Sequence, residues 1–313
     1  MQILVVTDGR RGIENQALGL AEAVARLAED HCEVATHTLA HSSVFAALPS
    51  SLQLALRRNF GLPAGDLVIG CGRQAIAPLI AMRRDGHPSF TVFVQDPRTD
   101  PSRFDLVIAP EHDGLSGPCV ETMIGSPNRI TRDRIIVGTL AEADRLKGLP
   151  MPRALLAIGG PSQTHAMGAE VIQTHLSAAQ SLKDQGYSLL ITTSRRTPNT
   201  ARAAWEDFAS DDGSIWLHTP DSAGANPYFA FLGAADVLFV TEDSTNMLTE
   251  ACATGKPVYR LPMDGKPGKF QQLYDALGAR CGVKRWDGKL DVGLYPALDE
   301  TSRIAERVLA RMR

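Results

Sequence analysis

The sequence predicts an α/β protein with two doubly wound, Rossmann-like domains that face each other across a cleft. Short apolar runs recur along the chain, each followed by a polar or glycine-containing turn and then by a segment with helical periodicity. The chain has 313 residues, which is more than one hydrophobic core usually serves. Charge and proline content rise between Gly138 and Pro152, so we expect the linker there and domains at 1–148 and 149–313.

The first strand and turn suggest an anion site. Strand Gln2–Thr7 leads into the turn Asp8–Gly12 and a helix from about 14 to 28. The turn lacks the G-x-G-x-x-G pattern, so dinucleotide binding has little support. Arg10 and Arg11 lie at the mouth of this turn, where guanidinium groups match the oxygens of a diphosphate. They are equally interpretable as solvated loop arginines.

An amphipathic segment follows the second predicted strand, Glu33–Leu39. It runs from Ser42 to Leu62 and carries several leucines beside the pair Arg57-Arg58. An amphipathic segment with basic residues can lie against a membrane surface. A helix packed on its own domain also explains the pattern, and we favour that interpretation.

Polar turns follow three further strands, Asp66–Ile69, Phe90–Val94 and Phe104–Ala109. Because the carboxyl ends of parallel strands meet at one edge of a sheet, we expect the polar residues there to share one crevice. Asp8 and Asp96 are the candidate catalytic bases, although most such loop residues only cap helices or turns. The residues expected in the crevice are Asp8, Arg73, Gln95, Asp96, Glu111 and His112, the last a further candidate base.

Two turns of the second domain suggest contacts to phosphate. Strand Ala154–Ile158 opens into a Gly-Gly turn, which is typical of a phosphate cradle but is no Walker loop, since no G-K-[ST] follows. Strand Leu189–Thr193 opens into a basic turn. The candidate binding residues are Gly159, Gly160 and Ser162 in the first turn, and Ser194, Arg195 and Arg196 in the second. His165 is assigned no chemistry.

The stretch Val240–Pro257 organises the second domain. It joins the end of a buried strand to a helix that Gly255 ends and Pro257 keeps from resuming. Because a helix N-terminus carries partial positive charge and unpaired N–H groups, a phosphate can bind at its start. Glu250 lies inside the helix, either as a solvated glutamate or as an acceptor for ribose hydroxyls. The candidate binding residues at the helix start are Thr241, Asp243, Ser244, Asn246 and Met247.

The pattern S-x-x-x-x-x-E-A-x-x-x-G-K-P from Ser244 to Pro257, followed by Lys269-Phe-Gln-Gln272, resembles the donor-site segment of GT-B glycosyltransferases that use nucleotide-sugars. In the peptidoglycan N-acetylglucosaminyltransferase branch of that fold, the similar segment ends in a Gln-Gln pair and a helix of small residues. The resemblance implies that Glu250 binds the donor ribose, that Gln271 and Gln272 contact the donor sugar, and that Arg195 or Arg196 binds a phosphate. It also implies that the last helix, 301–313, crosses back to the first domain.

Over nearly its whole length the chain resembles the family of the plant mitochondrial-fission factor and its bacterial homologues. Three unusual blocks carry this resemblance, and they are Thr7–Gln16, Thr192–Pro198 and Thr241–Met247. The family's name describes an organelle phenotype, so this resemblance alone implies no reaction.

Composition excludes several functional classes. Net charge is -3 and is evenly divided, with 15 Lys+Arg against 17 Asp+Glu in residues 1–148 and 17 against 18 in the remainder, so no nucleic-acid partner is expected. Five cysteines without a C-x-x-C pair indicate a cytosolic protein without disulfides or zinc. The absence of a leader and of long apolar runs predicts a cytoplasmic chain, with peripheral attachment to the inner membrane as the alternative.

The sequence therefore predicts a metal-independent glycosyltransferase without a cofactor. Its donor would be a nucleotide-diphosphate sugar, and its acceptor an envelope glycolipid or polysaccharide, lipid-linked acceptors at the membrane surface included. Helix N-termini and arginines can stabilise the leaving diphosphate without a metal ion. Two alternatives remain open, namely a nucleotide-sugar 2-epimerase of the same fold and a non-catalytic scaffold recruited to a membrane.

Overall fold

The computed structural model describes residues 1–40, 43–57 and 60–313 and confirms the α/β fold class, with two parallel six-stranded sheets. The chain divides into two compact units. Unit 1 contains residues Met1–Arg129 and Asp299–Arg313, and unit 2 contains Ile130–Leu298. The segment Gly138–Pro152, expected as a linker, belongs to unit 2 and contains helical structure.

Unit 1 contains a parallel sheet in the spatial order β2-β1-β3-β4-β5-β6. Its strands are β1 (Gln2–Thr7), β2 (Glu33–Thr38), β3 (Leu67–Cys71), β4 (Phe90–Val94), β5 (Leu106–Pro110) and β6 (Val120–Met123). The helices that connect them are α1 (Arg11–Leu27), α2 (Ser43–Ala47), α3 (Ser50–Leu56) and α4 (Arg73–Arg84), with short 3-10 turns at Pro101–Arg103 and Glu111–Asp113.

Helices cover both faces of this sheet, which is why its central strands are continuously apolar. Ile3 and Val5 of β1 pack in the core that α1 covers. The alternating residues Leu4 and Val6 pack in the opposite core, which contains α3 and α4.

Unit 2 contains a parallel sheet in the order β10-β9-β7-β11-β12-β14 and a two-stranded antiparallel ribbon of β8 and β13. Its strands are β7 (Arg153–Ile158), β8 (His165–Ala166), β9 (Ser188–Thr193), β10 (Ile215–His218), β11 (Val237–Thr241), β12 (Val258–Leu261), β13 (Asp264–Gly265) and β14 (Lys284–Arg285). Its helices are α5 (Arg132–Ala141), α6 (Ala143–Lys147), α7 (Ala169–Asp184), α8 (Asn199–Ala209), α9 (Tyr228–Ala234), α10 (Thr245–Cys252) and α11 (Phe270–Cys281).

The order of the large sheet in unit 2 is that of a dinucleotide-binding fold. Counted from the first strand of the unit, the sheet reads 3-2-1-4-5-6. In this order the third strand, β10, lies outside the second, β9, and covers its outer edge.

The last helix of the chain, α12 (Glu300–Met312), completes the core of unit 1. Ile304, Ala305 and Val308 are fully buried in the core that contains α1. The helix also covers the outer edge of β6, because Glu300 Oε2 accepts the N–H of Ile124 at 2.9 Å.

Lys256, which lies outside helix α9, caps the C-terminal end of that helix with its ammonium group. Its Nζ lies 2.8, 2.7 and 2.7 Å from the carbonyl oxygens of Leu232, Gly233 and Ala235. An ammonium group has three N–H donors, and here they satisfy three carbonyls that the end of the helix leaves open. Burial lowers the pKa of this ammonium group.

Candidate functional site

Three loops lie side by side at the carboxyl end of the sheet in unit 2. They follow the neighbouring strands β9, β7 and β11, and they contain Ser194–Pro198, Gly159–Thr164 and Glu242–Ser244. The structure therefore brings together the glycine turn, the basic turn and the start of α10, as strand order in a doubly wound fold requires.

Asp243 joins the three loops. Its Oδ2 accepts hydrogen bonds from the N–H of Gly160 at 3.1 Å and from Nη2 of Arg196 at 2.6 Å. The side chain of Asp243 is fully buried, and its Oδ1 has no hydrogen-bond partner among the residues that the structure describes. A buried carboxylate is stable only with such partners, so Arg196 and the glycine turn hold it in place.

The glycine turn is a point of close packing. A Cβ on Gly159 would lie 2.4 Å from the carboxylate oxygens of Asp243, and a Cβ on Gly160 would lie 2.1 Å from the carbonyl oxygen of Arg196. The N–H of Gly159 donates to Oγ1 of Thr241 at 2.8 Å. Both glycine N–H groups, which the sequence assigned to phosphate, therefore have acceptors within the protein.

The two arginines of the basic turn have different surroundings. Arg196 pairs with Asp243, and its backbone N–H donates to Oγ of Ser194 at 3.1 Å. Arg195 is exposed and makes no hydrogen bond or ion pair with any described residue. Only Arg195 is thus uncommitted and available to an anionic ligand.

Ser162 serves its own turn. Its Oγ accepts the N–H groups of Thr164 at 3.3 Å and His165 at 3.1 Å. The hydroxyl therefore shapes the loop after β7, and a ligand would compete with these two backbone donors.

Helix α10 begins where the sequence predicted. Ser244 is the N-cap, with its Oγ accepting the N–H of Met247 at 3.4 Å. Asn246 and Met247 are half-buried in the first turn. The first-turn amides and the positive end of the helix dipole lie at the same sheet edge as the basic turn.

Glu250 lies one turn further along α10 and is half-buried. Withdrawal from water raises the pKa of its carboxyl to about 7, and the neighbouring Tyr228 hydroxyl reverses only part of this rise. The two groups interact without the geometry of a regular hydrogen bond, because the buried Tyr228 hydroxyl has no such bond with a described residue. A carboxyl kept where its charge is unfavourable is typical of a functional site.

A second buried carboxylate, Glu242, was not identified from the sequence. Its Oε1 accepts from Nη1 of Arg260 at 2.9 Å and from Nε of Arg285 at 3.1 Å, and its Oε2 accepts the N–H of Met263 at 3.0 Å. These partners follow Glu242 by 18 to 43 residues, so no local pattern announces them. The network ties the residue after β11 to β12, to the segment that follows β12 and to β14.

His165 and Tyr274 extend this network. The Tyr274 hydroxyl donates to the carbonyl oxygen of Glu242 at 2.7 Å and lies 3.3 Å from Nε2 of His165. Burial lowers the pKa of His165 and raises that of Tyr274. His165 begins β8, which pairs with β13, so it is a buried strand residue and does not start a helix.

The two glutamines expected at the donor sugar lie in the first turn of α11 and are exposed. The side-chain amide of Gln271 donates to Asp275 at 2.8 Å on its own helix. Gln272 makes no side-chain hydrogen bond among the described residues.

The remaining predicted site residues belong to unit 1. Asp8 accepts Nε and Nη2 of Arg10 at 2.9 and 2.7 Å, so these two form a local ion pair. Asp96 accepts the N–H of Arg98 at 2.7 Å and follows Gln95, whose φ of 86° is unusual for a residue with a side chain. Arg11 is exposed at the start of α1.

Two other residues expected at this sheet edge have structural partners. Nη2 of Arg73 donates to the carbonyl oxygens of Ala47 and Leu48 at 2.6 and 3.0 Å. His112 is buried, with its Nε2 3.8 Å from Asp113.

Among residues 1–40, 43–57 and 60–313, no three His, Cys, Asp or Glu side chains are grouped as a metal site would require. No helix in these ranges is both long and apolar enough to cross a membrane.

Comparison with known families gives a match over almost the whole chain. The model of the family "Mitochondrial fission ELM1" matches residues 11–312. The mitochondrial fission protein ELM1 of Arabidopsis thaliana is 28% identical over 270 residues, covering 77% of this chain, and this chain spans 62% of that protein's length. An uncharacterised protein of Rickettsia prowazekii, RP120, is 24% identical over 304 residues, covering 83% of this chain and 82% of its own.

Solved structures with a similar fold include UDP-GlcNAc 2-epimerases. The enzyme of Neisseria meningitidis, bound to UDP-GlcNAc, has a TM-score of 0.59 at 13% identity and covers 99% of this chain and 100% of its own. The enzyme of Methanocaldococcus jannaschii has a TM-score of 0.55 at 10% identity and covers 99% of both chains. At these identities the similarity establishes a GT-B-like fold with two Rossmann-like units.

Proposed function

The chain belongs to the mitochondrial fission ELM1 family, and from that premise we propose that it binds a nucleotide-diphosphate sugar in unit 2 and transfers the sugar to an acceptor. The observation that carries the proposal is Glu250, a half-buried carboxyl with a pKa raised to about 7, one turn into the helix that starts at the strand-end loops. Hydrogen bonds from two ribose hydroxyls would compensate the carboxylate for its lost hydration.

The diphosphate would bind between Arg195 and the first turn of α10. Arg195 is the uncommitted cation of the basic turn, and the helix start supplies amide donors and partial positive charge. Gly159, Gly160, Asp243 and Arg196 would hold the loops in shape around the ligand, because their polar groups already bind one another.

Calorimetric titration with a panel of nucleoside diphosphates and nucleotide-sugars tests this donor site. Glu250→Gln removes the charged acceptor, and we expect affinity for the binding nucleotide to fall about tenfold or more. The matched control is Glu206→Gln, on exposed helix α8 of the same unit, which should leave affinity unchanged. Equal affinities for Glu250→Gln and Glu206→Gln would refute the role of Glu250.

The neighbouring arginines provide a second comparison. Arg195→Ala should weaken nucleoside diphosphates more than nucleosides and leave stability unchanged, since the side chain has no partner in the described protein. Arg196→Ala removes the ion pair of the buried Asp243 and should lower the free energy of unfolding by about 1–2 kcal/mol, allowing for the exposed half of Arg196. A loss of stability in Arg195→Ala, together with a loss of diphosphate affinity but not of stability in Arg196→Ala, would contradict these roles.

The catalytic base is proposed in unit 1. Asp96 is the stronger of the two candidates, because Asp8 is already paired with Arg10. The positive φ of Gln95, next to Asp96, is the kind of backbone strain that accompanies functional residues. We expect Asp96→Asn to abolish turnover while nucleotide binding in unit 2 persists.

Product analysis separates the reaction classes. Formation of an epimer from the donor without any acceptor would identify a nucleotide-sugar 2-epimerase, and sugar transfer only with acceptor would identify a transferase. If no nucleotide in the panel binds, both enzyme assignments fail and the scaffold alternative is favoured.

We also propose that unit 1 contacts a membrane surface, where a lipid-linked acceptor would be presented. Val44, Leu52 and Leu56 on α2 and α3 are 75%, 43% and 66% exposed. Beside them an open cavity of about 800 Å³ is lined by Ser51, Leu54, Ala55, Ile80, Arg83, Arg84 and Arg103. Apolar side chains next to arginines suit an anionic lipid surface. Co-sedimentation with anionic vesicles should decrease for Leu52→Ser/Leu56→Ser, and unchanged binding would refute this contact.

A further inference from the structure

The outer edge of β2 pairs with no strand among residues 1–40, 43–57 and 60–313. On its inner side, the N–H groups of Glu33 and Leu39 donate to the carbonyl oxygens of Met1, just before β1, and of Thr7, the last residue of β1. Because successive residues of a strand direct their backbone groups to opposite sides, Val34, Thr36 and Thr38 direct theirs away from β1. None of these three residues has another hydrogen bond among the residues that the structure describes.

At two comparable positions in this chain the outer side of a strand is covered by another element. In unit 2 the corresponding second strand, β9, is covered by β10. In unit 1 the outer edge of β6 is covered by α12. The segment after β2 instead forms α2 and α3, and all but one of the six residues of β2 are exposed. Long unprotected edges without proline or lysine readily accept another strand.

We propose that β2 is the contact edge of a homodimer, in which two copies of β2 pair antiparallel about a two-fold axis at Ala35. The sequence E-V-A-T-H-T is self-complementary in this register. Val34 of one copy faces Thr36 of the other in two hydrogen-bonded pairs, giving about four backbone hydrogen bonds. The six-stranded sheets of unit 1 in the two copies would then form one continuous sheet.

Charge complementarity selects this register. The same pairing places Glu33 of one copy directly opposite His37 of the other, on one face of the sheet, twice by symmetry. Neither side chain has a hydrogen bond or ion pair within the described part of its own chain. An imidazole N–H donates to a carboxylate in either of its protonation states, so the contact needs no change of pH.

The contact area is small. In this register five residues of each copy, from Glu33 to His37, face the other copy, and they bury less surface than the 1,200–2,000 Å² or so of stable interfaces. The dissociation constant should therefore be on the order of 0.1 mM. Sedimentation equilibrium over a concentration range that spans this value should show a reversible monomer–dimer equilibrium.

Charge exchange tests the register. Glu33→Lys and His37→Glu should each weaken the dimer about threefold to tenfold, because each change acts twice in a symmetric pair. The double variant Glu33→Lys/His37→Glu again places opposite charges face to face and should restore it. Glu29→Lys, just before the strand, is the matched control and should leave the dimer unchanged. Failure of the double variant to restore association would overturn the register.

Amide hydrogen exchange tests the edge itself without any substitution. At high protein concentration exchange should slow at Val34 and Thr36, whereas the amides that already bond to β1 should be protected at every concentration. Thr36→Pro, which removes an outward N–H on an edge strand, should abolish dimerisation. A chain that stays monomeric up to millimolar concentration, or exchange at Val34 and Thr36 that is independent of concentration, would overturn the proposal.

Discussion

Glu250 is a carboxyl whose charge is disfavoured by its own protein. Its pKa is raised to about 7 from 4.5, because burial penalises the ionised form more than the Tyr228 hydroxyl favours it. The folded state therefore holds a proton that the unfolded chain releases near pH 4.5. Stability associated with this group is complete below about pH 4.5 and is lost as pH rises to about 7.

Glu250→Gln should remove this loss. At about pH 8 the variant is expected to be more stable than the natural chain by up to about 3.5 kcal/mol, because the pKa rises from 4.5 to about 7 on folding, whereas near pH 4 the two should be equal. Urea unfolding at both pH values measures the difference. Glu206→Gln, on the exposed face of α8, should show no such dependence, and a pH-independent difference for Glu250→Gln would contradict the shift.

The candidate site was predicted from sequence only where one local segment carries the signal. The start of a helix after β11 and the convergence of the glycine and basic turns follow from strand–turn–helix periodicity. The same periodicity does not show which hydrogen-bond donors remain free. Gly160 and Arg196 donate to Asp243, which follows them by 83 and 47 residues. Sequence spacing cannot reveal such contacts, and the division of labour between Arg195 and Arg196 depends on them.

At the scale of elements, strands buried on both faces were recognised, whereas the two-residue strands β8 and β13 were missed. The apolar runs of β1, β7 and β11 leave no alternative assignment. The ribbon of β8 and β13 pairs His165 with Gly265, one hundred residues later, so neither strand has a periodicity of its own. The predicted linker Gly138–Pro152 contains the end of α5 and all of α6, because charge and proline content there hide a weak helical periodicity.

Lys256 stabilises an element to which it does not belong. Lys256→Met keeps most of the aliphatic stem but removes three hydrogen bonds from the end of α9, so we expect the free energy of unfolding to fall by about 2 kcal/mol. Lys147→Met is the control, because this lysine is 75% exposed in a surface pair and should contribute little. Equal urea midpoints for the two variants would show that the α9 carbonyls are satisfied by solvent instead.

At the scale of the whole molecule, the order of segments along the chain does not match their division into two units. Unit 2 is one continuous stretch of chain, whereas unit 1 is made of residues 1–129 and 299–313. Two compact units agree with the length of the sequence. The packing of α12 in unit 1 is not encoded in local periodicity, because the sequence of α12 is that of an ordinary amphipathic helix whichever unit it covers.

The core beneath α12 should respond locally to substitution. Ile304→Ala removes a fully buried side chain and is expected to cost about 2–5 kcal/mol, seen as faster amide exchange in α1 and β1 but not in β7 or β9. Ile136→Ala, at a 45% exposed position on α5, should change neither set. Equal acceleration in both units would contradict a local effect.

The position of α12 also affects how a nascent chain can fold. Residues of α1 such as Leu20 and Val24 belong to the core that α12 completes, but α12 is synthesised after all of unit 2. On the ribosome the continuous unit 2 can close while unit 1 still exposes this apolar surface. The half of the protein that is translated first therefore matures last, and during that interval its uncovered helix face is the surface that a chaperone would recognise.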